Sequence, residues 1–235
     1  HTPYVPDRVC RERVAACPVP SVLTDEQIRY HHQHVYGPKT ARDISIRNPG
    51  YKACNEFMPD EIRDTDDYRT MLDSYDGCVA SVDKAIGEVI DVLKQEGVYE
   101  DTAIVVSADH GEAIGQMGMY FEHGLAVDGV ARVPLLIHWP GLTDSGGRCD
   151  TMLYQYDFMA ALMELLGIDR PSGWEARSLA PALRGEPMEE YPYLVYGCGI
   201  FSLQRAVRTR EYAYVKTFHS GCLPLEPAHL FDIRS

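Results

Sequence analysis

The 235-residue sequence contains no apolar run near the ~20 residues that a membrane-crossing helix needs, so a membrane partner is not expected. It has no C-x-x-C pair, which sets aside zinc-ribbon and thioredoxin-type motifs. The seven cysteines are odd in number and unpaired in spacing, a weak lean toward reduced thiols that leaves the compartment open. Positive charge is scarce: 22 Lys and Arg against 35 Asp and Glu give a net charge of −13, which opposes nucleic-acid binding. An anionic substrate would need a local source of positive charge, and a bound divalent metal is the economical one. Internal repeats and low-complexity tracts are absent. No signal peptide opens the chain, and both ends read as cut from something longer.

What is present fits a sizeable α/β core, with 45% hydrophobic and 24% charged residues. Residues 1 to about 66 are rich in Pro, His and Tyr with weak periodicity, although Thr24-Asp25-Glu26-Gln27 resembles a helix start. From Asp66 to Gln95 apolar residues recur at three- and four-residue steps, from Met71 and Tyr75 through Ile90 and Leu93, and predict a long amphipathic helix ended by Gly97. The run Thr102 to Ala108 reads as a strand buried on both faces, as in a parallel sheet covered by helices, and Val133 to Trp139 as a second buried strand. Thr151 to Leu166 predicts another amphipathic helix capped by Gly167. Helix, strand and helix in this rhythm suggest a doubly wound sheet with helices on both faces. After Arg184-Gly185-Glu186-Pro187, short strands over Tyr193–Tyr196, Ser202–Thr209 and Tyr212–Phe218 predict a small antiparallel sheet. The expected division is therefore 1–185 for the core portion and 186–235 for the C-terminal subdomain.

Asp109-His110-Gly111-Glu112 follows the first buried strand at once, where ligands of open α/β sheets sit. Asp109 can supply a carboxylate oxygen and His110 a ring nitrogen to a metal, and Gly111 allows a sharp turn between them and the next segment. His123 lies thirteen residues on in a glycine-bearing loop that can return over this corner, to bind metal, hold an anion or shuttle a proton. His1 is followed by a stiff Thr2-Pro3-Tyr4-Val5-Pro6 segment that would fix its direction. His31, His32 and His34 read as surface histidines, Cys78 as a small apolar residue on its helix face, and Trp174 as core or cleft wall.

Three blocks in order and spacing are specific: Asp101 through Glu112, Arg132 through Gly141, and Arg177 through Gly185. They resemble sulfatases of the alkaline-phosphatase superfamily over about residues 66–235, with His1 to Pro6 as a separate match. The resemblance implies an alkaline-phosphatase-like sheet and hydrolysis of a small-molecule or saccharide sulfate ester. It implies Asp109 and His110 as metal ligands, and His123 and His1 as groups that contact the sulfate. The implied ion is calcium, with manganese or zinc also compatible because of the histidine. The family's N-terminal Asp-Asp pair and its Cys-x-Pro/Ala-x-Arg motif, whose Cys becomes formylglycine, are absent. Neither Cys17-Pro18-Val19-Pro20-Ser21 nor Cys78-Val79-Ala80-Ser81-Val82 carries the Arg. The chain is thus expected to partner an N-terminal half of the same protein and to be inactive alone. Phosphodiesterases and phosphonate monoester hydrolases of the superfamily, which share Asp-His-Gly, are the alternative reading, and a non-catalytic fragment is a third.

Overall fold

The computed structural model describes residues 4–19, 22–33, 57–59, 61–199, 202–221 and 225–234. Two short helices come first, α1 (Arg8–Ala15) and α2 (Asp25–Gln33). α2 starts where the sequence places an N-cap. The Thr24 hydroxyl accepts from the Gln27 backbone N–H at 3.2 Å and the Gln27 side chain accepts from Thr24 N–H at 2.9 Å, a reciprocal capping box.

The long amphipathic helix is α3 (Thr65–Gln95), N-capped by Asp64, whose carboxylate accepts from Asp67 N–H at 2.9 Å. Tyr68, Met71 and Leu72 from its first turns pack with Tyr4, Ile28, Ile62 and Tyr120 into the largest apolar cluster. Beyond Ala80 the helix buries nothing. There Val82, Val89 and Val92 stand 54–61% exposed, although the apolar spacing continues.

β1 (Ile104–Ser107) and, further on, β4 (Leu135–His138) pair antiparallel, with Val105 opposite Ile137. Here the expectation of a parallel arrangement buried on both faces is corrected: Val105 is 39% and Leu136 60% exposed. Alternate residues of a strand face opposite sides. Leu135 and Ile137 pack against Phe158, Ala161 and Leu165 of α5 (Gln155–Leu165), while Val105, on the same side as its partner Ile137, and Leu136, on the other side, stay exposed; on that other side His138 stacks on Tyr99. Between β1 and β4 run the short β2 (Ala113–Ile114) and β3 (Tyr120–Glu122), paired antiparallel, and the single turn α4 (Asp128–Ala131).

α5 is anchored by Asp157, which is fully buried. Its carboxylate accepts from Tyr154 N–H at 2.7 Å, Arg177 N–H at 2.8 Å and the Tyr191 hydroxyl at 3.1 Å, tying the 177–191 segment to the helix start. Trp174, read from the sequence as core or cleft wall, is 41% exposed. After the short α6 (Ala180–Leu183) comes a four-stranded antiparallel sheet in sequential order: β5 (Leu194–Cys198), β6 (Leu203–Arg208), β7 (Tyr212–His219) and β8 (Ala228–Asp232). The fourth strand had no counterpart in the sequence reading. Among the described residues no helix is long and apolar enough to cross a membrane.

Candidate active site

The end of β1 is pinned to the start of β4 by the Ser107 hydroxyl, which donates to the Pro134 carbonyl at 2.8 Å. Asp109 and His110 follow, with side chains 89% and 37% exposed, so both stand at the surface of the corner. Asp109 Oδ1 accepts the His110 backbone N–H at 3.0 Å, and Oδ2 lies 3.7 Å from His110 Nε2. That N–H, with the His110 imidazole beside it, holds the Asp109 carboxyl below the usual carboxylate range, so it is an anion at neutral pH.

His110 Nδ1 lies 2.8 Å from the Gly111 carbonyl oxygen. A carbonyl can only accept, so in the neutral ring Nδ1 carries the proton and Nε2 keeps its lone pair on the Asp109 side. An imidazole tied to backbone through one nitrogen is oriented to ligate a metal through the other. Asp109 and His110 are therefore a matched oxygen and nitrogen donor pair. Among the described residues no group of three or more His, Cys, Asp or Glu could hold a metal ion, so the pair supplies two donors and no complete coordination shell.

Gly111 is required for a reason other than the expected sharp turn. Its φ is not in the left-handed region. A Cβ on it would collide with the Gly129 carbonyl and crowd that of Val130, to which the Gly111 N–H donates at 2.7 Å. The strand-end corner is thus joined directly to α4.

The loop does bring His123 back. Its ring stacks on that of His110, centroids 4.1 Å apart and planes 19° from parallel. Its Nδ1 lies 3.4 Å from a carboxylate oxygen of Glu112, whose side chain is only 6% exposed. Tyr4 is itself buried, and burial together with the nearby Glu112 charge pushes its phenol far above its usual pKa.

What fixes the segment after His123 is the C-terminal sheet. The Ser202 hydroxyl donates to the Gly124 carbonyl at 3.3 Å, and the buried Gln204 side chain accepts from Ala126 N–H at 2.9 Å. Gln204 also donates to the Thr217 hydroxyl at 3.1 Å, bracing it against β7. Asp128 receives the Tyr196 hydroxyl at 3.0 Å and Arg208 Nε at 3.0 Å to one oxygen and 3.1 Å to the other. Sequence reasoning missed Glu112, Gln204 and Arg208 as partners of the loop. Glu112 stood inside the Asp-His-Gly-Glu motif, but nothing in the sequence joined Gln204 or Arg208 to residues some 80 positions away.

His1 and His34 lie outside the described residues. His31 Nδ1 contacts the Tyr120 hydroxyl at 2.7 Å and His32 Nε2 the Ile62 carbonyl at 2.6 Å. Each of the two is a packing contact of α2, and they do not converge on one point. Cys78 is half-buried against the N-terminal cluster, where burial raises its thiol pKa.

The sulfatase family profile matches residues 27–168, more than half of the chain, and the profile of the N-sulphoglucosamine sulphohydrolase C-terminal region matches 115–225. The choline-sulfatase of Rhizobium meliloti is 30% identical over 168 residues, which are 69% of this chain and 31% of that protein. The ulvan-active sulfatase of Formosa agariphila is 30% identical over 158 residues, 63% of this chain and 31% of that protein. Among solved structures, the phosphonate monoester hydrolase of Silicibacter pomeroyi superposes with a TM-score of 0.67 at 25% identity, covering 94% of this chain and 45% of that one. A protein solved with its substrate D-glucosamine-2-N,6-O-disulfate superposes with a TM-score of 0.69 at 17% identity, over 99% of this chain and 56% of that one. These likenesses agree with an α/β fold carrying a C-terminal antiparallel sheet. The chain spans about a third of the length of these curated relatives and about half of the solved ones.

Proposed function

Because the chain belongs to the sulfatase family, we propose that the complete protein hydrolyses sulfate esters and that this chain carries half of its metal site and part of its sulfate grip. The observation that supports this most directly is the 2.8 Å contact between His110 Nδ1 and the Gly111 carbonyl, a group that can only accept. The Nδ1 proton is engaged by that carbonyl, so Nε2 is offered beside the Asp109 carboxylate. Asp109 and His110 would hold a divalent cation, calcium first and manganese or zinc as alternatives, and that ion would neutralise sulfate oxygens as the S–O bond breaks. His123, stacked on His110, would face the same sulfate, and His1 would contact it as its counterpart does in the family.

The remaining ligands and the nucleophile, a formylglycine in this reading, would come from an N-terminal half of the same protein. The exposed valines of α3, with Val105 and Leu136 of the β1–β4 pair, are apolar surface that such a half could cover. In the same reading residues 1–185 form the core portion and 186–235 the subdomain, and the substrate is a small-molecule or saccharide sulfate ester. The test joins this chain to the residues encoded upstream of it and assays a sulfate ester and a phosphonate monoester in the presence of calcium, manganese or zinc. Metal-dependent turnover of the sulfate ester is expected. Preferential turnover of the phosphonate ester would favour the second reading, which the likeness to the Silicibacter pomeroyi enzyme supports.

A further inference from the structure

We infer that the start of α5 carries a saccharide-binding subsite, in which the exposed ring of Tyr156 stacks on a sugar and the Arg177 guanidinium takes an anionic group borne by that sugar. The inference rests on the sulfate-ester reading and gives its substrate a class, an acidic saccharide longer than one ring. Tyr156 is 46% exposed, yet its neighbours hold it in place. Its ring stacks on that of Tyr154, centroids 4.8 Å apart and planes 16° from parallel, and Tyr154 meets Tyr191 edge to face at 5.1 Å. Hydrogen bonds fix the two supporting rings: the Tyr154 hydroxyl accepts from Val195 N–H at 2.6 Å, and the Tyr191 hydroxyl donates to Asp157 at 3.1 Å. A braced aromatic face that stays open can receive the apolar face of a sugar ring with little further ordering.

The rim of this face is charged. Arg177 lies over the Tyr191 ring, 4.0 Å from its centroid. Although acids outnumber bases in the chain by 35 to 22, Arg177 forms no ion pair among the described residues, and its Nη1 is enclosed without an acceptor. A guanidinium presents five N–H groups in a fork that matches the oxygens of an oxyanion, so an arriving sulfate or carboxylate would complete it. Partial burial pushes the Tyr156 phenol above its usual range; the charges of Asp157 and Glu175 push it further and Arg177 opposes them, so both rim charges act at this ring. Exposed Glu175 can accept from sugar hydroxyls. The subsite also lies at the metal corner's end of the strand pair. The side chain of Gln155, between the two tyrosines in sequence, donates to the carbonyl of Ala108, the residue before Asp109. Tyr156 and Asp109 are therefore no more than roughly 18 Å apart between Cα atoms, a span that a short saccharide can bridge.

The experiment uses the 235-residue chain with its tyrosine rings carbon-13 labelled, titrated without added metal so that the subsite is read apart from the donor pair. The probes are sulfated cellobiose, cellobiuronic acid, which carries a carboxylate instead, and neutral cellobiose. An acidic disaccharide is expected to shift the Tyr154, Tyr156 and Tyr191 ring signals, and the tighter of the two identifies the preferred anion. Tyr156→Ala should weaken that binding roughly 2- to 10-fold, while Tyr156→Phe, which keeps the ring, should bind as the wild type does. In Arg177→Gln the acidic probes should lose their advantage over cellobiose; if that variant does not fold, the two variants of exposed Tyr156 still decide. Ring signals unmoved by both acidic probes, equal affinity for cellobiose in the wild type, or undiminished binding by Tyr156→Ala would overturn the inference. In the complete protein Tyr156→Ala should raise the KM for sulfated cellobiose; turnover with that KM unchanged, as when an N-terminal half covers the ring, would overturn the subsite and leave the functional reading standing. Disaccharide binding as expected, with no sulfate-ester turnover by the complete protein, would count against the functional reading and leave the subsite standing.

Discussion

Replacing Gly111 with alanine tests the join between the donor pair and α4. The new Cβ would fall on the Gly129 carbonyl oxygen and within 3.3 Å of the Val130 carbonyl oxygen. Both are backbone atoms, so relief requires moving the 129–130 peptide by about 1 Å to reach ordinary carbon–oxygen contact. Overpacking of this kind costs about 1–3 kcal/mol, and weakening the 2.7 Å hydrogen bond from Gly111 N–H to Val130 adds about 1 kcal/mol, for about 2–4 kcal/mol together. For a chain of this size that is a drop in Tm of roughly 4–16 °C. Gly129→Ala provides the contrast. Its Cβ meets the end of the Gln116 side chain at 3.0 Å, which can move aside at the cost of its hydrogen bond from Ile114 N–H, and the Glu112 carbonyl at 3.4 Å, an ordinary contact. That variant should lose about 1 kcal/mol. Thermal unfolding by circular dichroism measures both, and calorimetric titration with calcium and manganese tests whether Gly111→Ala also weakens the donor pair. Equal losses from the two variants, or a Gly111→Ala Tm within 1–2 °C of wild type, would refute the steric argument.

Gln204→Leu removes the acceptor of Ala126 N–H inside a closed interface and should cost about 2–3 kcal/mol, with faster amide exchange at Ala126 as the local sign. Asp157→Ala strips three donors of their buried acceptor and should lower the urea midpoint by the equivalent of about 3–5 kcal/mol, whereas Asp157→Asn, which keeps one carbonyl, should lose less. Asp109→Asn and His110→Ala, each deleting a donor at an exposed position, should abolish detectable divalent-metal binding by titration while shifting Tm little. The carboxyls of Asp7, Asp25 and Asp67 are held low by the Cys10 backbone N–H, by Thr65 and by Arg63 respectively. Because the unfolded chain protonates these groups first, their contribution is complete above the ordinary carboxylate pKa of about 4 and is lost as pH falls toward the folded values. Tm should therefore be flat from about pH 7 to 5 and fall below about pH 4; a Tm unchanged down to pH 3 would contradict this.

Periodicity made α3, α5 and the positions of β1 and β4 legible, because a continuous apolar stripe or run leaves few other local solutions. The pairing direction was not legible. An apolar run such as Ile104 to Ser107 states that a strand prefers cover, and says nothing about whether its partner runs parallel or whether Val105 finds that cover within these residues. β8 escaped notice because Ala228-His229-Leu230 lacks the β-branched residues that mark a strand. At the site, Asp109 and His110 stood in a motif, and the loop length made the return of His123 plausible. Glu112 was hidden in plain view, since a glutamate after a glycine reads as surface until its burial is seen. The stacking of His123 on His110 and the hold of Gln204 on Ala126 depend on tertiary packing, where sequence spacing carries no information.

The hold of β5 and β6 on residues 124–128 bears on the entropy of ligand capture. A glycine-bearing segment of this kind ordinarily surrenders conformational freedom when it closes on a ligand, and affinity falls by that amount. Here the Gly124 carbonyl, the Ala126 N–H and the Asp128 carboxylate already have fixed partners. The freedom was given up during folding. An anion arriving beside His123 would meet a receptor that has nothing left to order there, so variation in β6 can tune affinity without touching a single residue that contacts the ligand.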